Sequence, residues 1–310
     1  MEWKPVTLSA APLDQSWYEA SARARLAGLL DADSFQEFIG PEQRMMSPHL
    51  PLFDLPRAFD DGMIVGHGLL EAQPVLVAAQ EGRFMGGAFG EIHGAKLVGL
   101  LRAALHLKPA AVLILFDTGG VRLQEANAGE TAIAEIMRAI AIARAAGIPV
   151  IGLIGGRAGC YGGGGLVAGT CARLVISEGG RLSVSGPEVI ETNRGAEEFD
   201  SRDRALVWRT MGGKHRRLLG AADAFVDDTI GAFRAAALAA IPAAPAFDLA
   251  TLEAEQARLE ARLDRFGDCT DATEIWGRLG VDDPTAVPGL TTEAFDALLD
   301  RLPEGPHHAR

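Results

Sequence analysis

Three glycine-rich turns constrain the fold of this 310-residue chain more than any other feature. Each turn, at Gly86-Gly87, Gly119-Gly120 and Gly162 to Gly165, lies between a strand-like segment and a helix-like segment. Strand, turn and helix in this order predict parallel, buried strands that are joined by helical crossovers. The turns should therefore meet at one edge of the sheet, where open α/β folds bind ligands. The alternative is that each glycine pair only makes a tight turn.

Hydrophobic patterning predicts the individual elements. Alternating apolar segments indicate a hairpin, and continuous apolar runs indicate buried strands. The predicted strands cover 63–70, 74–79, 110–116, 149–154, 173–177 and 181–185. Helical spacing predicts helices over 16–30, 91–107, 128–146, 166–171, 201–211, 216–225 and 251–266.

The predicted elements divide the chain into three parts. Residues 1–60 are predicted to form a mostly helical N-terminal arm, residues 61–241 an α/β domain, and residues 242–310 an acidic helical C-terminal extension. Alanine and proline over 235–245 predict a linker before the extension. The helix over 251–266 carries the apolar stripe Leu252, Leu259, Leu263 and Phe266. That stripe either packs on its own domain or docks another subunit.

Composition excludes several classes of function. A formal net charge of −12 disfavours nucleic acid and anionic membranes as main partners, because both would repel the chain. The three cysteines form no C-x-x-C pair, which predicts neither a metal site nor a disulfide framework. No segment has the apolar length of a signal peptide or a membrane span. We therefore expect a cytoplasmic protein.

The turn over 116–125 has the features of an anion site. It joins the end of a buried strand to a long helix, so free backbone N–H groups and the positive end of a helix dipole point at one place. Glycine lets the backbone approach an anion closely. Neither the Gly-Lys-Ser/Thr of a Walker A motif nor a complete dinucleotide fingerprint is present, which disfavours those kinds of nucleotide site.

The sequence Asp117-Thr118-Gly119-Gly120-Val121-Arg122-Leu123-Gln124-Glu125 resembles the S-G-G-A-R-[MI]-Q-E turn of carboxyltransferase β-type subunits, which act on acyl thioesters. Three further stretches, over 23–35, 84–90 and 185–191, resemble that family's R-x-R-[IL]-x-x-L-[LF]-D-x-x-S-F, F-M-G-G-S-[ML]-G and A-G-P-R-V-I-E motifs in order and spacing. The resemblance implies an α/β crotonase-like fold of repeated ββα units with flanking helices.

Within this family, the chain is most similar to the β subunit of biotin-independent malonate decarboxylase. It lacks the four-cysteine zinc ribbon of bacterial acetyl-CoA carboxyltransferase β subunits, and it carries the turn over 159–165 and an acidic C-terminal extension. The resemblance implies decarboxylation of malonyl-S-acyl carrier protein to acetyl-S-acyl carrier protein and CO₂. It also implies three partners, namely a homologous carboxyltransferase-type γ subunit, a small acyl carrier protein and an acyl carrier transferase subunit. The dephospho-CoA-derived prosthetic group belongs to the carrier, and no cofactor is expected to bind this chain directly.

The site residues follow from that resemblance. The backbone amides of Gly119 and Gly120 are predicted to form an oxyanion hole that stabilises a thioester enolate. The other predicted substrate-binding residues are Gly86, Gly87, Arg122, Tyr161, Gly162, Gly163 and Gly164. Arg122 either orients a carboxylate or pairs with Glu125.

Several side chains have two interpretations each. His93 is either the acid that protonates the enolate or a structural histidine. Cys160 would be a nucleophile only with a paired base, and none is visible in the sequence. The basic residues Lys214, Arg216 and Arg217 either form a solvated helix end or dock the acidic carrier or its phosphate-bearing arm.

Two other functions remain open from the sequence. A β subunit of a biotin-dependent acyl-CoA carboxylase or decarboxylase would use the same fold and the same oxyanion hole. A non-catalytic assembly subunit would keep the glycine turns only for their geometry.

Overall fold

The computed structural model describes residues 8, 11–45, 47–54 and 62–303, and within them the chain forms one seven-stranded sheet. Its strands are β1 (Gln36–Glu37), β2 (Met63–Leu70), β3 (Gln73–Gln80), β4 (Ala111–Phe116), β5 (Val150–Ile154), β6 (Arg173–Ser177) and β7 (Ala224–Val226). The strands lie side by side in chain order. β1, β2 and β3 pair antiparallel, whereas β3 to β7 are parallel.

Helices connect and cover these strands. They are α1 (Ala22–Leu29), α2 (Glu91–Leu107), α3 (Asn127–Ala145), α4 (Gly163–Thr170), α5 (Pro187–Arg194), α6 (Arg204–Met211), α7 (Gly213–Leu218), α8 (Ile230–Ala240), α9 (Leu249–Phe266), α10 (Ala272–Arg278) and α11 (Thr292–Leu299). Short 3₁₀ turns, Met85–Gly87 and Leu123–Glu125, follow β3 and β4. Within the described residues, no helix is long and apolar enough to cross a membrane.

The sheet is buried on both faces, as parallel strands with helical crossovers require. Along β4, Val112, Ile114 and Phe116 join the core that contains α2, α3, α10 and α11. The alternate residues of β4 join a second core with α1 and α8. The C-terminal helices therefore extend the main core of the sheet, because Trp276 and Phe295 are buried in it.

Most predicted elements are confirmed. β2 and β3 form the expected hairpin, and α2 has the predicted bounds. The helix expected over 16–30 begins only at Ala22. Part of the predicted N-terminal arm, residues 1–7, 9, 10, 46 and 55–60, lies outside the described residues, as do residues 61 and 304–310.

Four predictions about local structure are wrong. α4 begins at Gly163 rather than Leu166, and its first turn contains Gly164 and Gly165, which pack against Thr118 and the Ser183 backbone where a side chain would not fit. The segment 181–185 forms isolated bridges instead of a strand. The helix predicted over 216–225 is shorter, and its last residues enter β7. Helix α8 occupies half of the predicted linker, since alanine favours helix over 235–240.

Candidate active site

The three glycine turns meet, as the sequence predicts. The segment after β4 lies between the other two turns. On one side, the Gly119 N–H donates to the Gly86 carbonyl over 2.8 Å, and the Phe89 N–H donates to the Gly120 carbonyl over 2.8 Å. On the other side, the Tyr161 N–H donates to the Thr118 carbonyl over 3.0 Å. Backbone segments from three separate crossovers thus lie side by side at the edge of the sheet. We call these three hydrogen-bonded turns the glycine ribbon.

Two positions in this ribbon require glycine. Gly87 has φ of +66°, and a Cβ there would overlap the carbonyl oxygen of Asp117. Gly162 has φ of +56°, and its Cβ would lie 3.1 Å from the Gly120 Cα. L-residues rarely adopt such φ values, so both the conformation and the close approach depend on glycine.

The predicted oxyanion donors are already occupied within the chain. The Gly119 N–H donates to the Gly86 carbonyl, and the Gly120 N–H donates to the Thr118 Oγ1 over 3.1 Å. An amide that has given its proton to an internal acceptor is not free to hold a ligand oxygen. In this structure, the Gly119 and Gly120 amides are therefore not free donors, and their role as an oxyanion hole stays a prediction.

The next amide, that of Val121, is better placed. In a planar trans peptide, the N–H and the preceding C=O point in opposite directions. Because the Gly120 carbonyl faces Phe89, the Val121 N–H faces the other way, toward the turn at Tyr161 and Gly162. No acceptor in the described part of the chain takes a hydrogen bond from it.

Two more amides lie at the start of α4. Gly162 caps this helix and Gly163 is its first residue, so their N–H groups have no partner within the helix. Neither donates elsewhere among the described residues. Gly163 approaches Val121 so closely that a Cβ on it would lie 3.0 Å from the Val121 Cγ2. Free donors from two turns thus lie next to each other, in the arrangement that stabilises a developing oxyanion.

A buried ion pair holds the strand end and the turn that carry the ribbon. The Arg25 Nη1 donates to the Asp117 Oδ2 over 2.8 Å, and both side chains are almost completely buried. The Asp117 Oδ1 also accepts from the Ala158 N–H over 2.6 Å. This carboxylate therefore connects α1, the end of β4 and the turn after β5.

A cluster of buried polar side chains lies under the first two glycine turns. The Gln80 Nε2 is 3.1 Å from the His93 Nε2, and the His93 Nδ1 is 3.2 Å from the Arg122 Nη2. The Arg122 Nη1 donates to the Glu125 Oε1 over 3.0 Å, and the Glu91 N–H donates to the other oxygen of Glu125. The Arg122 side chain has no exposed surface. Its pairing with Glu125, one of the two alternatives, is confirmed, and its substrate-binding role stays a prediction. His93 is fully buried.

The side chains of the third turn point into protein. Cys160 is fully buried, and burial raises the pKa of its thiol well above the usual value, which disfavours a thiolate nucleophile. Tyr161 packs with Phe199, Val207 and Met211. Burial raises the pKa of Tyr161 to about 12, so its hydroxyl keeps its proton.

The basic run in α7 is mostly buried, contrary to both interpretations of the sequence. The Lys214 Nζ donates to the carbonyls of Pro288 and Leu290 and pairs with Glu178. The segment before α11 covers Lys214, and its docking role stays a prediction. Arg216 and Arg217 are half-buried, and their docking role stays a prediction.

Sequence reasoning missed the support residues Arg25, Gln80 and Asp117. One signal was available, since Arg25 and Asp117 are charged residues inside otherwise apolar patterns. It also missed the Val121 amide, because no side chain marks a free backbone donor.

Comparison with known proteins identifies related chains. The sequence model of the carboxyl transferase domain matches residues 19–235. The chain is 40% identical to the malonyl-S-ACP:biotin-protein carboxyltransferase MADC of Malonomonas rubra, over 93% of this chain and 97% of that protein.

Solved structures agree with this result. A Pseudomonas malonate decarboxylase hetero-tetramer in complex with malonate contains a chain with a TM-score of 0.75 and 38% identity, covering 89% of this chain and 97% of that one. A transcarboxylase 12S structure has a TM-score of 0.60 and 25% identity, over 70% of this chain and 40% of that chain. These neighbours show that the fold is the expected crotonase-like α/β fold.

Proposed function

Because the chain belongs to the carboxyl transferase domain family, as an enzyme subunit of the malonate decarboxylase type, we propose that it removes CO₂ from a malonyl thioester at the glycine turns. The observation that carries this proposal is the free Val121 N–H, directed toward the free amides of Gly162 and Gly163. The intact amide cluster favours this catalytic role over a non-catalytic assembly role.

The chemistry requires little beyond these donors. When the bond between the carboxylate carbon and Cα of the malonyl group breaks, the electron pair moves into the thioester as an enolate. Negative charge then develops on the thioester oxygen, where preorganised N–H donors stabilise the transition state more than the ground state. The enolate carbon afterwards takes up a proton, which gives the acetyl thioester.

The other glycines of the three turns form the surface around these donors, which we call the groove. Gly86 and Gly119 are exposed, so a thioester can reach the ribbon from solvent. Gly87, Gly120 and Gly164 bring the three backbones together without side chains. We assign these five residues to the walls of the substrate site and the amides of Val121, Gly162 and Gly163 to the oxyanion hole.

We further propose that a second subunit covers this groove. Large apolar side chains are exposed near the ribbon, at Leu123 (87%), Val184 (60%) and Val189 (53%). Large exposed apolar side chains are frequent at protein interfaces. A homologous carboxyltransferase-type subunit is the proposed occupant, as the related Pseudomonas enzyme is a hetero-tetramer. The acyl carrier protein, its dephospho-CoA-derived arm and the carrier transferase complete the proposed complex.

A second candidate reaction transfers the carboxyl group to a biotin-bearing protein. It is favoured by the name of the Malonomonas rubra relative, which gives a biotin protein as acceptor. Both reactions pass through the same enolate, so the amide cluster serves either one. Adding avidin to the purified complex separates them, because avidin sequesters biotin. Unchanged CO₂ release supports direct decarboxylation, and loss of CO₂ release supports carboxyl transfer.

The proposed oxyanion hole is tested by removing one N–H. Val121→Pro deletes the donor, and we expect kcat for CO₂ release to fall by about 10²–10³-fold, the effect of losing one such donor elsewhere. Val121→Ala keeps the N–H and is the matched control, with kcat close to that of the wild type. Size-exclusion chromatography checks that both variants assemble. Equal activity of the two variants would refute the assignment of the Val121 amide.

A further inference from the structure

A cleft of about 670 Å³ lies at the C-terminal end of α4. Its walls come from four segments, namely α3, residues 169–172, residues 245–247 and α9. Its volume is within the range of about 300–1,000 Å³ that is typical of sites for small molecules. Gly163 and Gly169 are six residues apart on α4, which corresponds to about 9 Å along the helix axis. The cleft is therefore separate from the glycine ribbon.

Contacts within the chain fix the walls of this cleft. The Arg173 Nη2 donates to the Ala243 carbonyl over 2.7 Å, which holds the segment between α8 and α9 against β6. The Arg144 Cζ lies 4.6 Å from the centre of the Phe247 ring, and the Arg144 Nη1 donates to the Thr170 carbonyl over 2.8 Å. The single side chain of Arg144 thus connects three of the four walls.

Most of the cleft surface is apolar. Leu252, from the apolar stripe of α9, lies in the wall and is 47% exposed. Thr170 and Thr251 also line the cleft, but both hydroxyl groups donate within the chain. The other apolar lining residues include Ala141, Ala172, Pro245 and Phe247. Because burial of apolar surface is favourable, the cleft favours a ligand with an apolar body.

The charged side chains of the lining are those of Arg144, Arg258 and Glu255. The Arg258 Nε and Nη2 donate to the two carboxylate oxygens of Glu255 over 2.7 and 2.6 Å. The third nitrogen of Arg258, Nη1, is buried and has no hydrogen-bond partner among the described residues. Buried N–H groups are normally paired, so this nitrogen lacks an acceptor. With two positive charges and one negative charge, the lining favours an anionic oxygen.

We propose that this cleft binds a small amphiphilic carboxylate, whose apolar body packs on Phe247 and Leu252 and whose carboxylate pairs with Arg258. A guanidinium presents N–H donors in a fixed plane that matches a carboxylate. Walls from four segments give the cleft the concave shape of a small-molecule site. The site goes beyond the proposed function, since it shares no residue with the groove at the glycine turns.

Isothermal calorimetry of the full chain with octanoate, and separately with octan-1-ol, tests the proposal. The alcohol has the same apolar chain without the charge. We expect saturable binding of octanoate and about tenfold weaker binding of octan-1-ol, since the alcohol lacks the hydrogen bonds between two charged groups. The absence of saturable octanoate binding would overturn the proposal, as would equal affinity for the two molecules.

The location of the site is tested by filling the cleft. Gly169 lines it, and a Cβ there would have no atom of another segment within 4 Å, so Gly169→Phe occupies the cleft at little steric cost. We expect octanoate affinity to fall about tenfold or more. Gly99→Phe is the matched control, because Gly99 is also helical and exposed with open space at its Cβ, but lies on α2. Wild-type affinity in Gly169→Phe, or an equal loss in both variants, would refute this location.

The pairing of the carboxylate is tested with Arg258→Gln. We expect octanoate affinity to fall about tenfold or more, and octan-1-ol affinity to stay unchanged. Arg265→Gln is the matched control, because Arg265 is exposed on the same helix and does not line the cleft. Equal weakening of both molecules by Arg258→Gln would show that Arg258 only shapes the cleft, and it would overturn the pairing.

Discussion

Arg25 and Arg122, which support the glycine ribbon, differ from Arg216 of helix α7 in how their charge is compensated. Arg25 and Arg122 each pair with a carboxylate, Asp117 and Glu125, and every turn of the ribbon is connected to one of these pairs. Arg216 is half-buried and makes no ion pair among the described residues. The difference predicts different effects on stability, because breaking a buried pair leaves one charge unpaired, whereas replacing an uncompensated arginine removes an unpaired charge.

Breaking the paired cluster should have the largest effect on stability. Asp117→Asn leaves the Arg25 guanidinium buried without a counter-charge, and we expect the free energy of unfolding to fall by about 3–5 kcal/mol. Urea denaturation followed by circular dichroism measures this loss.

The control for this prediction is Glu135→Gln, which breaks the exposed pair between Glu135 and Arg138. Exposed pairs contribute little, so its urea midpoint should match that of the wild type. Equal midpoints for Asp117→Asn and Glu135→Gln would contradict the structural role of the buried pair.

Lowering the pH should reduce the free energy of unfolding by an intermediate amount, through His215, which lies near the uncompensated Arg216. Burial, followed by the charges of Arg216 and Arg262, lowers the pKa of His215 to about 3. The Trp276 Nε1 donates to its Nδ1 over 3.2 Å, which requires the neutral ring. In the unfolded chain this histidine takes up a proton below about pH 6.5, whereas in the folded chain it stays neutral down to about pH 3.

The unfolded state thus binds more protons between these two pH values, and stability falls as the pH decreases through that window. Between pH 7 and pH 5, His215 should account for a loss of about 2 kcal/mol in the free energy of unfolding. Urea denaturation of the wild type and His215→Gln at both pH values tests this. The same loss in both proteins would show that other groups cause it.

Removing the uncompensated arginine should have the smallest effect on stability. We expect Arg216→Met to keep the free energy of unfolding within about 0.5 kcal/mol of the wild type, or to raise it, because a poorly compensated charge is replaced by an apolar side chain. The measurement is urea denaturation in buffer without phosphate or carboxylate ions. A loss as large as that of Asp117→Asn would place Arg216 in the structural framework instead.

The sequence predicted the part of the site that depends on local pattern. Apolar runs and helical spacing located the crossovers around the ribbon, and paired glycines marked the turns between them. The crossing of the three turns followed from the parallel topology. The resemblance of the segment Asp117 to Glu125 to a known motif added the chemistry.

Other features depend on contacts between distant segments, which the local pattern does not contain. The Gly119 amide donates to the Gly86 carbonyl of the first turn and the Gly120 amide to the Thr118 hydroxyl, which leaves the Val121 amide free among the described residues. Lys214 looks exposed in the sequence, but the carbonyls of Pro288 and Leu290, more than seventy residues later, surround its ammonium group. The pairing of Arg122 was one of two alternatives, and only the fold decided between them.

The most direct test of the proposed site is a crystal structure of the assembled complex with a non-hydrolysable malonyl thioester analogue. We expect the thioester oxygen within about 3.1 Å of the Val121 amide nitrogen and of the amide nitrogen of Gly162 or Gly163. A thioester oxygen bound at Gly119 and Gly120 instead, or away from the glycine ribbon, would contradict the oxyanion hole assigned to these turns.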